Sequence, residues 1–365
     1  MNPLHVRGAP NFYQCEEGIL EQLTMKLAEH KLEKPAIIHG EKSWYAAKDY
    51  ISLDNTVVRV PYKGDCTHEE VERVATELRK SQADVVIGVG GGKVLDLAKA
   101  TGDKLDLPVV LIPTLASNCS PWTPLSVFYD EYGNFLHYII FSKAAHMVLL
   151  EPRIIAASPF KYLRAGIGDT IAKWYEADAL TAKMEQKPLA LDIALHAAKL
   201  CRDVLLDKGS EAMESVRNHQ VTPALIKVAE TIVMAGGMVG GYGDAYGRIA
   251  GAHAIHNGLT TIPETHKILH GDKVAYGILV QLALENKLDE VAKLFPFYKK
   301  LQLPTTLEEL GVHENVEEAM RAISAKATIP EESIHLMNVP TTEHDVLQSI
   351  QRLEKYVKNN IRPVS

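Results

Sequence analysis

Cysteine is scarce in this 365-residue sequence, and none of the usual cysteine motifs is present. The four cysteines are widely spaced without a CxxC pair, which excludes a disulfide framework and a cysteine-based zinc site. No apolar run reaches the roughly 18 residues of a membrane span, and the N-terminus lacks the apolar core of a secretory signal. Low-complexity tracts and internal repeats are also absent. We therefore expect a soluble, cytoplasmic protein.

Excess positive charge is lacking as well. The net charge of −7 and the isoelectric point near 6.1 provide no general attraction for nucleic acid or anionic membranes. The 46% hydrophobic and 23% charged residues are typical of a globular protein. A small-molecule ligand is the partner class that this composition leaves open.

The first part of the chain alternates between short apolar runs and amphipathic helical segments. This alternation predicts a parallel sheet with helices on both faces. A hairpin appended to that sheet is predicted over Leu125–Tyr129 and His137–Phe141, and one short strand over Met147–Leu150. The other predicted strands are Ala36–His39, Val57–Val60, Asp84–Val89 and Pro108–Ile112.

Helical periodicity dominates from Lys161 onward, with no convincing strand. The change predicts an α/β domain at 1–158 and an all-helical domain at 159–365. A cleft between two such domains would be the natural place for a ligand.

A glycine-rich turn, GVGGGKVLD over Gly88–Asp96, follows a predicted strand and opens a helix. Its backbone could approach a phosphate closely, next to the positive end of the helix dipole. The turn is neither a Walker A loop, because Ile87 and Val94 stand at key positions, nor a Rossmann GxGxxG, because Lys93 replaces the third glycine. The pattern favours anion binding, with a ligand-free turn as the alternative.

The loop PTLASNCSPWTP at 113–124 follows the next strand and is rich in small hydroxyl residues. These side chains could contact a cofactor, or they could cap their own backbone. The residues alone leave both interpretations open.

Four histidines at 253, 256, 266 and 270 fall within eighteen residues, and no HExxH motif is present. Imidazoles with one carboxylate and an open position form a catalytic metal site, and Asp169, after Gly166-Ile167-Gly168, could supply the carboxylate. A helix N-cap is the alternative role for Asp169.

Six ordered motifs resemble the iron-containing alcohol dehydrogenase family, in its glycerol dehydrogenase-like branch. They are GGGKVLD (90–96), TLAS (114–117), LSV (125–127), GIGDTIAKWYE (166–176), AHAIHNGL (252–259) and HGDKVAYG (270–277). The resemblance implies an α/β, Rossmann-like dinucleotide-binding domain and an all-α domain, in a dehydroquinate synthase-like architecture. It also implies hydride transfer between a nicotinamide cofactor and a small alcohol or carbonyl compound, and relatives commonly form homo-oligomers.

The resemblance implies that Asp169, His253 and His270 are the metal ligands. It implies that His256 lies near the site without binding the metal, and we expect His266 to be a surface residue. Lys173 stands where iron-dependent members carry another histidine, which favours zinc over iron or nickel. Glu41 would hydrogen-bond a ribose 2′-hydroxyl and repel a 2′-phosphate, so NAD is favoured over NADP. Further cofactor contacts are implied for Gly90, Gly91, Gly92, Lys93, Asp96, Thr114, Ser117, Thr123, Leu125 and Tyr129.

The loop departs from the glycerol dehydrogenase pattern at Cys119, where those enzymes carry an aspartate that helps to hold the polyol. A polyol such as glycerol is the substrate that the resemblance implies. Loss of that carboxylate weakens the expectation for glycerol and makes a hydroxy acid or 2-oxo acid the alternative substrate. Cys119 and Trp122 are therefore the predicted substrate-selecting residues. Lys173 and His256 are candidate partners for a substrate carboxylate. His256 is also a candidate proton relay, with a structural role as the alternative.

Two alternative hypotheses assign the protein to functional classes other than the dehydrogenases. A dehydroquinate synthase-like lyase would use the same fold, NAD and a metal, but it needs basic residues for a phosphorylated substrate. The stretch 249–277 has few of these. A non-catalytic nucleotide sensor is the other alternative, and binding of NAD without a metal would favour it.

Overall fold

The computed structural model describes residues 4–54 and 56–360. Its contacts divide the chain into two compact units, each considered by itself below. One comprises Arg7–Leu163 and Glu211–Gly241, and the other comprises Met1–Val6, Arg164–Ser210 and Tyr242–Ser365. The boundary at 158/159 stays a prediction.

The first unit contains a six-stranded, wholly parallel sheet with strand order β1-β8-β5-β4-β2-β3. This confirms the predicted α/β fold. The helices α1–α4 connect the early strands. The strands are β1 (Phe12–Cys15), β2 (Pro35–His39), β3 (Val58–Pro61), β4 (Val85–Gly90), β5 (Val109–Pro113) and β8 (Met147–Leu150). The helices are α1 (Leu23–Glu29), α2 (Glu41–Ala47), α3 (His68–Ser81) and α4 (Gly92–Leu105).

Two apolar clusters cover the two faces of this sheet. Successive residues of β4 point to opposite faces, so Val86 packs in one cluster with α3 and α4, and Ile87 packs in the other with α1. The strands β4 and β5 are continuous apolar runs in the sequence because all of their residues are buried.

Two features differ from the sequence expectation. The edge strand β1 was not predicted, because its four residues are all half-buried and form no apolar run. The predicted hairpin forms, but β6 (Leu125–Tyr129) and β7 (Phe135–Ile140) make a separate two-stranded antiparallel sheet. Its register is irregular at Phe128/Tyr129.

After β8 the regular secondary structure of the described chain is helical, with loops between the helices. The helices are α5 (Pro152–Ala156), α6 (Phe160–Thr181), α7 (Leu189–Arg217), α8 (Pro223–Glu230), α9 (Gly236–Gly243), α10 (Ala245–Arg248), α11 (Gly251–Leu259), α12 (His270–Leu284), α13 (Leu288–Leu301), α14 (Val316–Ala327) and α15 (Glu343–Asn360).

The segment Pro223–Gly243 is long and apolar enough, by composition, to cross a membrane. It contains α8, a π-helical turn at Thr231–Ala235 and α9. Because 72% of the apolar window is buried inside the protein, the segment has the character of a core helix.

Candidate active site

The glycine-rich turn connects β4 to α4 at the carboxyl edge of the parallel sheet. Gly91 precedes the helix in an extended conformation, and its carbonyl accepts the N–H groups of Val94 and Leu95. A Cβ at Gly90 would lie 2.6 Å from Cβ of Val94, so packing against the helix already requires glycine there. The first N–H groups of α4 have no partner within the helix, as at any helix N-terminus. Such a turn can accept an anion.

Lys93 lies in the first turn of α4. Its Nζ forms an ion pair with Asp65 and lies 4.5 Å from the ring centroid of Tyr129. Half of the Lys93 side chain remains exposed. The Asp65 carboxylate therefore holds the amine at the entrance of the turn, and its contact with a phosphate stays a prediction.

Asp96 and Lys99 of α4 form a buried ion pair, 2.9 Å apart, and both residues also bind the loop after β5. Asp96 accepts from the Ser120 hydroxyl and from the Val127 backbone N–H. Lys99 donates to the backbone carbonyls of Ser120 and Thr123, at 2.8 and 3.1 Å, and to that of Leu125. These bonds give Asp96 a role in holding the loop, and direct contact of Asp96 with a cofactor stays a prediction. Sequence reasoning missed Lys99, although Asp96 and Lys99 have the i,i+3 spacing of a helical ion pair.

Among the other predicted cofactor residues, Thr114 and Glu41 also lie at the carboxyl edge of the parallel sheet, close after the ends of β5 and β2. Thr114 is buried and its N–H donates to the Gly90 carbonyl, so the loop begins against the glycine turn. Glu41 is exposed at the start of α2, directly after β2, which is the neighbour of β4. The Ser43 hydroxyl donates to the Val89 carbonyl and ties α2 to the end of β4. Partly buried side chains at Ser117, Thr123, Leu125 and Tyr129 complete the set.

The two predicted substrate-selecting residues have different surroundings. Trp122 is 5% exposed, its Nε1 donates to the Gly8 carbonyl at 2.7 Å, and its ring contacts Tyr13 edge-on. A Cβ on Gly237 would lie 2.5 Å from the indole. The structure thus gives Trp122 a packing role. Cys119 is partly buried, and its carbonyl accepts the Trp122 N–H. Substrate contact by either residue stays a prediction.

The predicted metal ligands meet in the other unit. Asp169 lies in α6, His253 in α11 and His270 at the start of α12. Oδ1 of Asp169 lies 3.3 Å from Nε2 of His253 and 3.2 Å from Nε2 of His270. One ligand atom from each residue lies within 4.8 Å of the others. This donor set, one carboxylate and two imidazoles, fits a catalytic divalent metal that keeps a position for substrate.

Packing of α6 against α12 brings the carboxylate to His270. A Cβ on Gly168 would lie 2.5 Å from the Gly271 carbonyl oxygen, and a Cβ on Gly271 would overlap the carbonyl of Ala165. Beside this contact, Arg164 donates two hydrogen bonds to Asp272, at 3.0 and 2.6 Å. Two glycines and one bidentate ion pair therefore set the separation of Asp169 and His270.

Glu176 lies two helical turns after Asp169 in α6, and sequence reasoning did not single it out. Its Oε2 lies 2.8 Å from Nδ1 of His253, and its Oε1 accepts the backbone N–H groups of Ala250 and His253 at 2.7 and 3.0 Å. The carboxylate caps α11 and orients the imidazole, which is how metal-binding histidines are commonly held. The spacing of seven residues was the available signal, because it places both carboxylates on one helix face.

The charged side chains of the proposed metal site change one another's pKa values. Burial alone would disfavour a charged imidazole, but the Glu176 carboxylate raises the pKa of His253 to about 9. Burial opposes ionisation of Asp169 too, yet hydrogen bonds from His253 and His270 hold the pKa of that carboxyl well below its usual range. The carboxylate is therefore ionised at neutral pH, as a metal ligand must be.

His256 joins the group from α11. Its Nε2 lies 2.9 Å from Nδ1 of His270, and its Nδ1 lies 3.0 Å from Oδ1 of Asn257. Burial, with the neighbouring His270 imidazole and the Lys273 ammonium, holds the pKa of His256 well below its ordinary value. Asn257 in turn donates to Glu332, so a neutral His256 sits in a continuous hydrogen-bonded chain.

Lys173 lies one turn after Asp169 and is 8% exposed. Its Nζ donates to the Arg248 carbonyl at 3.1 Å. Its charge helps to keep the pKa values of Asp169 and Glu176 low. His266 is exposed and contacts the Thr260 carbonyl, away from the three-ligand group, as predicted.

Comparison with known proteins agrees with this geometry. Residues 10–152 match the family model described as iron-containing alcohol dehydrogenase. The chain is 41% identical to hydroxycarboxylate dehydrogenase A of Escherichia coli, over 97% of this chain and 99% of that protein. It is 37% identical to glycerol dehydrogenase of Thermotoga maritima, over 89% and 92%. The chain belongs to the iron-containing alcohol dehydrogenase family.

The fold of this dehydrogenase is shared with a solved relative of the glycerol dehydrogenase-like branch. The crystal structure of a probable glycerol dehydrogenase from Sinorhizobium meliloti superposes with a TM-score of 0.86. It covers 97% of this chain and 99% of that chain at 29% identity. The protein is thus an oxidoreductase of the glycerol dehydrogenase-like branch.

Proposed function

We propose that this dehydrogenase transfers a hydride between NAD and a small alcohol or carbonyl compound at a divalent metal. The meeting of Asp169, His253 and His270 is the observation that carries the proposal. A nucleotide-binding sensor would not need this donor set. The relatives named above are dehydrogenases, which favours hydride transfer over a dehydroquinate synthase-like lyase.

Each residue around the metal has a separate task. Asp169, His253 and His270 would hold the ion, and Glu176 keeps the Nδ1 proton of His253 so that Nε2 is free to coordinate. When bound, a divalent metal acts as a Lewis acid that polarises a carbonyl and lowers the pKa of a hydroxyl. His256, neutral and hydrogen-bonded to His270, is the proposed proton relay.

Zinc is the metal that we propose, with iron and nickel as alternatives. Lys173 supports zinc, because it occupies the position of the additional histidine implied for iron-dependent members. The decisive measurement is elemental analysis of the purified protein, followed by chelation and reconstitution with each metal. We expect activity to return best with zinc. A His270→Ala variant that retained full metal content and full hydride transfer would contradict the site.

NAD is the proposed dinucleotide, with NADP as the alternative. The exposed carboxylate of Glu41, beside the carboxyl end of β4, supports this choice because it would repel a 2′-phosphate. Glu41→Gln should lower the preference for NAD over NADP, measured as the ratio of the two kcat/KM values. An unchanged ratio would remove Glu41 from the assignment.

A hydroxycarboxylate dehydrogenase acting on 2-oxo acids is a second candidate. Cys119 in place of the polyol-binding aspartate favours it, as does the similarity to hydroxycarboxylate dehydrogenase A along nearly the whole chain. A panel of polyols, hydroxy acids and 2-oxo acids, assayed with NAD(H) and NADP(H), separates the candidates. Glycerol as the best substrate by a wide margin would contradict the argument from Cys119.

We also propose a cytoplasmic homo-oligomer. Large apolar side chains on the β6–β7 hairpin, including Tyr132 and Phe135, are 81% and 63% exposed, which is common at interfaces between subunits. Light scattering on the purified protein measures the assembly. A monomer at micromolar concentration would contradict it.

A further inference from the structure

Lys273 is a buried lysine of α12 that has no counter-charge in the part of the chain that the structure describes. The residue is 7% exposed, and its Nζ makes no hydrogen bond or ion pair with any residue that the structure describes. Burial lowers the pKa of this amine from its ordinary value. Burial of an unpaired ammonium is unfavourable in free energy. A ligand that supplies the missing negative charge would remove this penalty.

The packing of α12 against α11 places Lys273 beside His256. Gly277 of α12 lies against the backbone carbonyl of Ala252 in α11. Lys273 is one turn before Gly277, and His256 is one turn after Ala252. The hydrogen bond between His270, at the start of α12, and His256, near the end of α11, shows that the two helices run antiparallel.

The electrostatics agree with this placement. The positive charge of Lys273 contributes to the depressed pKa of His256. Lys273 also follows His270 by three residues, so the two side chains are neighbours on one side of the helix. Lys273 thus lies on the side of α12 that carries His270 and packs against the α11 segment with His256, at the edge of the proposed metal site.

Two other cations of this unit near the site, Lys173 and Arg164, have partners. Lys173 donates to the Arg248 carbonyl, and Arg164 forms a bidentate ion pair with Asp272. Lys273, in contrast, is buried and has no counter-charge among the residues that the structure describes. A carboxylate is the complementary group, since it accepts a charge-assisted hydrogen bond from an ammonium.

We infer that Lys273 binds the carboxylate of a 2-hydroxy or 2-oxo acid substrate. The inference rests on the proposed function and narrows its substrate class. In the reduction, hydride from NADH forms the new C–H bond at C2, a proton adds to the carbonyl oxygen, and NADH becomes NAD⁺. The C1 carboxylate is unchanged in the reaction, and it is the group that Lys273 binds. From the sequence, Lys173 and His256 were the candidate partners for a substrate carboxylate. The inference gives this role to Lys273 instead.

The test compares a carboxylate ligand with its neutral isostere. Lactate and lactamide are titrated calorimetrically into zinc-loaded protein without dinucleotide, and pyruvate and pyruvamide are then compared as substrates with NADH. The variants are Lys273→Met and Lys273→Arg, with Lys267→Met as the control. Lys267 is exposed three residues before His270, so its removal changes the net charge equally.

We expect Lys273→Met to lower the preference for the acid over the amide by about tenfold to a hundredfold, the usual effect of losing a hydrogen bond to a charged group. Lys273→Arg should restore part of it, and Lys267→Met should keep the wild-type ratio. Metal content is measured in every variant. An unchanged ratio in Lys273→Met overturns the inference, as does a wild-type protein that binds lactate no better than lactamide.

The two proposals fail separately. Absence of hydride transfer with every compound tested contradicts the proposed function, whereas the calorimetric preference for lactate still decides the role of Lys273. Conversely, a protein that oxidises neutral diols rapidly and binds both ligands equally retains its function and loses this residue assignment.

Discussion

Nδ1 of His253 lies 2.8 Å from Oε2 of Glu176, and the other oxygen of that carboxylate accepts two backbone N–H groups at the start of α11. One buried carboxylate therefore fixes both the helix and the imidazole. Nε2 of His253 is left facing Asp169. The relationship links the local stability of α11 to the affinity of the proposed metal site.

Glu176→Gln should weaken metal binding. An amide can still accept hydrogen bonds, but it does not stabilise the Nδ1 proton of His253 as a carboxylate does. We expect the metal Kd to rise by about 10- to 100-fold, the usual effect of losing such a partner. Competition with a chelator measures it. Glu185→Gln, at an exposed site, is the control, and equal affinity in both variants would contradict the prediction.

Gly271→Ala should destabilise the protein far more than Gly209→Ala. A Cβ at Gly271 would overlap the Ala165 carbonyl, whereas the nearest atom to a Cβ at Gly209 is a Phe297 ring carbon at 3.3 Å. We expect a loss above about 2 kcal/mol for Gly271→Ala, as for other overpacked sites. Gly209→Ala should stay within about 1 kcal/mol, because alanine favours helix. Urea denaturation and metal content test both, and similar midpoints would contradict the packing argument.

Lys99→Met should loosen the loop between β5 and β6. The substitution leaves Asp96 buried beside several carbonyl oxygens that lose their donor. Removing one partner of a buried ion pair costs about 3–5 kcal/mol. We expect that loss in urea denaturation, together with weaker NADH binding measured by fluorescence. Lys104→Met, in the same helix but more exposed, is the control. NADH affinity equal to that of the control would show that the loop does not bind the cofactor.

Acid should destabilise the first unit through the pair formed by His146 and His30. Their ring nitrogens lie 2.9 Å apart, and burial, together with the charge of His30, lowers the pKa of His146. The unfolded chain, with a histidine pKa of about 6.5, then binds the proton more readily than the folded one. This contribution is fully present above that pH and is lost as the pH falls toward the folded-state pKa. Urea midpoints at pH 7.5 and 5.5 should therefore differ less in His146→Gln than in the wild type, and an equal difference would contradict the assignment.

Much of the fold could be predicted from local pattern. The strands β2, β4, β5 and β8 are short apolar runs between helical segments, and such runs are typical of buried parallel strands. The strand β1 could not be predicted, because it is an edge strand whose few residues are half-buried. Its pairing with β8 depends on residues more than a hundred positions away.

The site shows the same division. The sequence by itself determined the glycine turn, the helical character of the second half and, through its motifs, the three residues proposed to hold the metal. Only the tertiary structure decided that Glu176 orients His253, that Trp122 packs against Gly237, and that Lys273 is buried without a partner among the described residues. The physical reason is that backbone periodicity depends on neighbouring residues. Hydrogen-bond partners and uncompensated charges depend on how closely helices distant in the chain can approach.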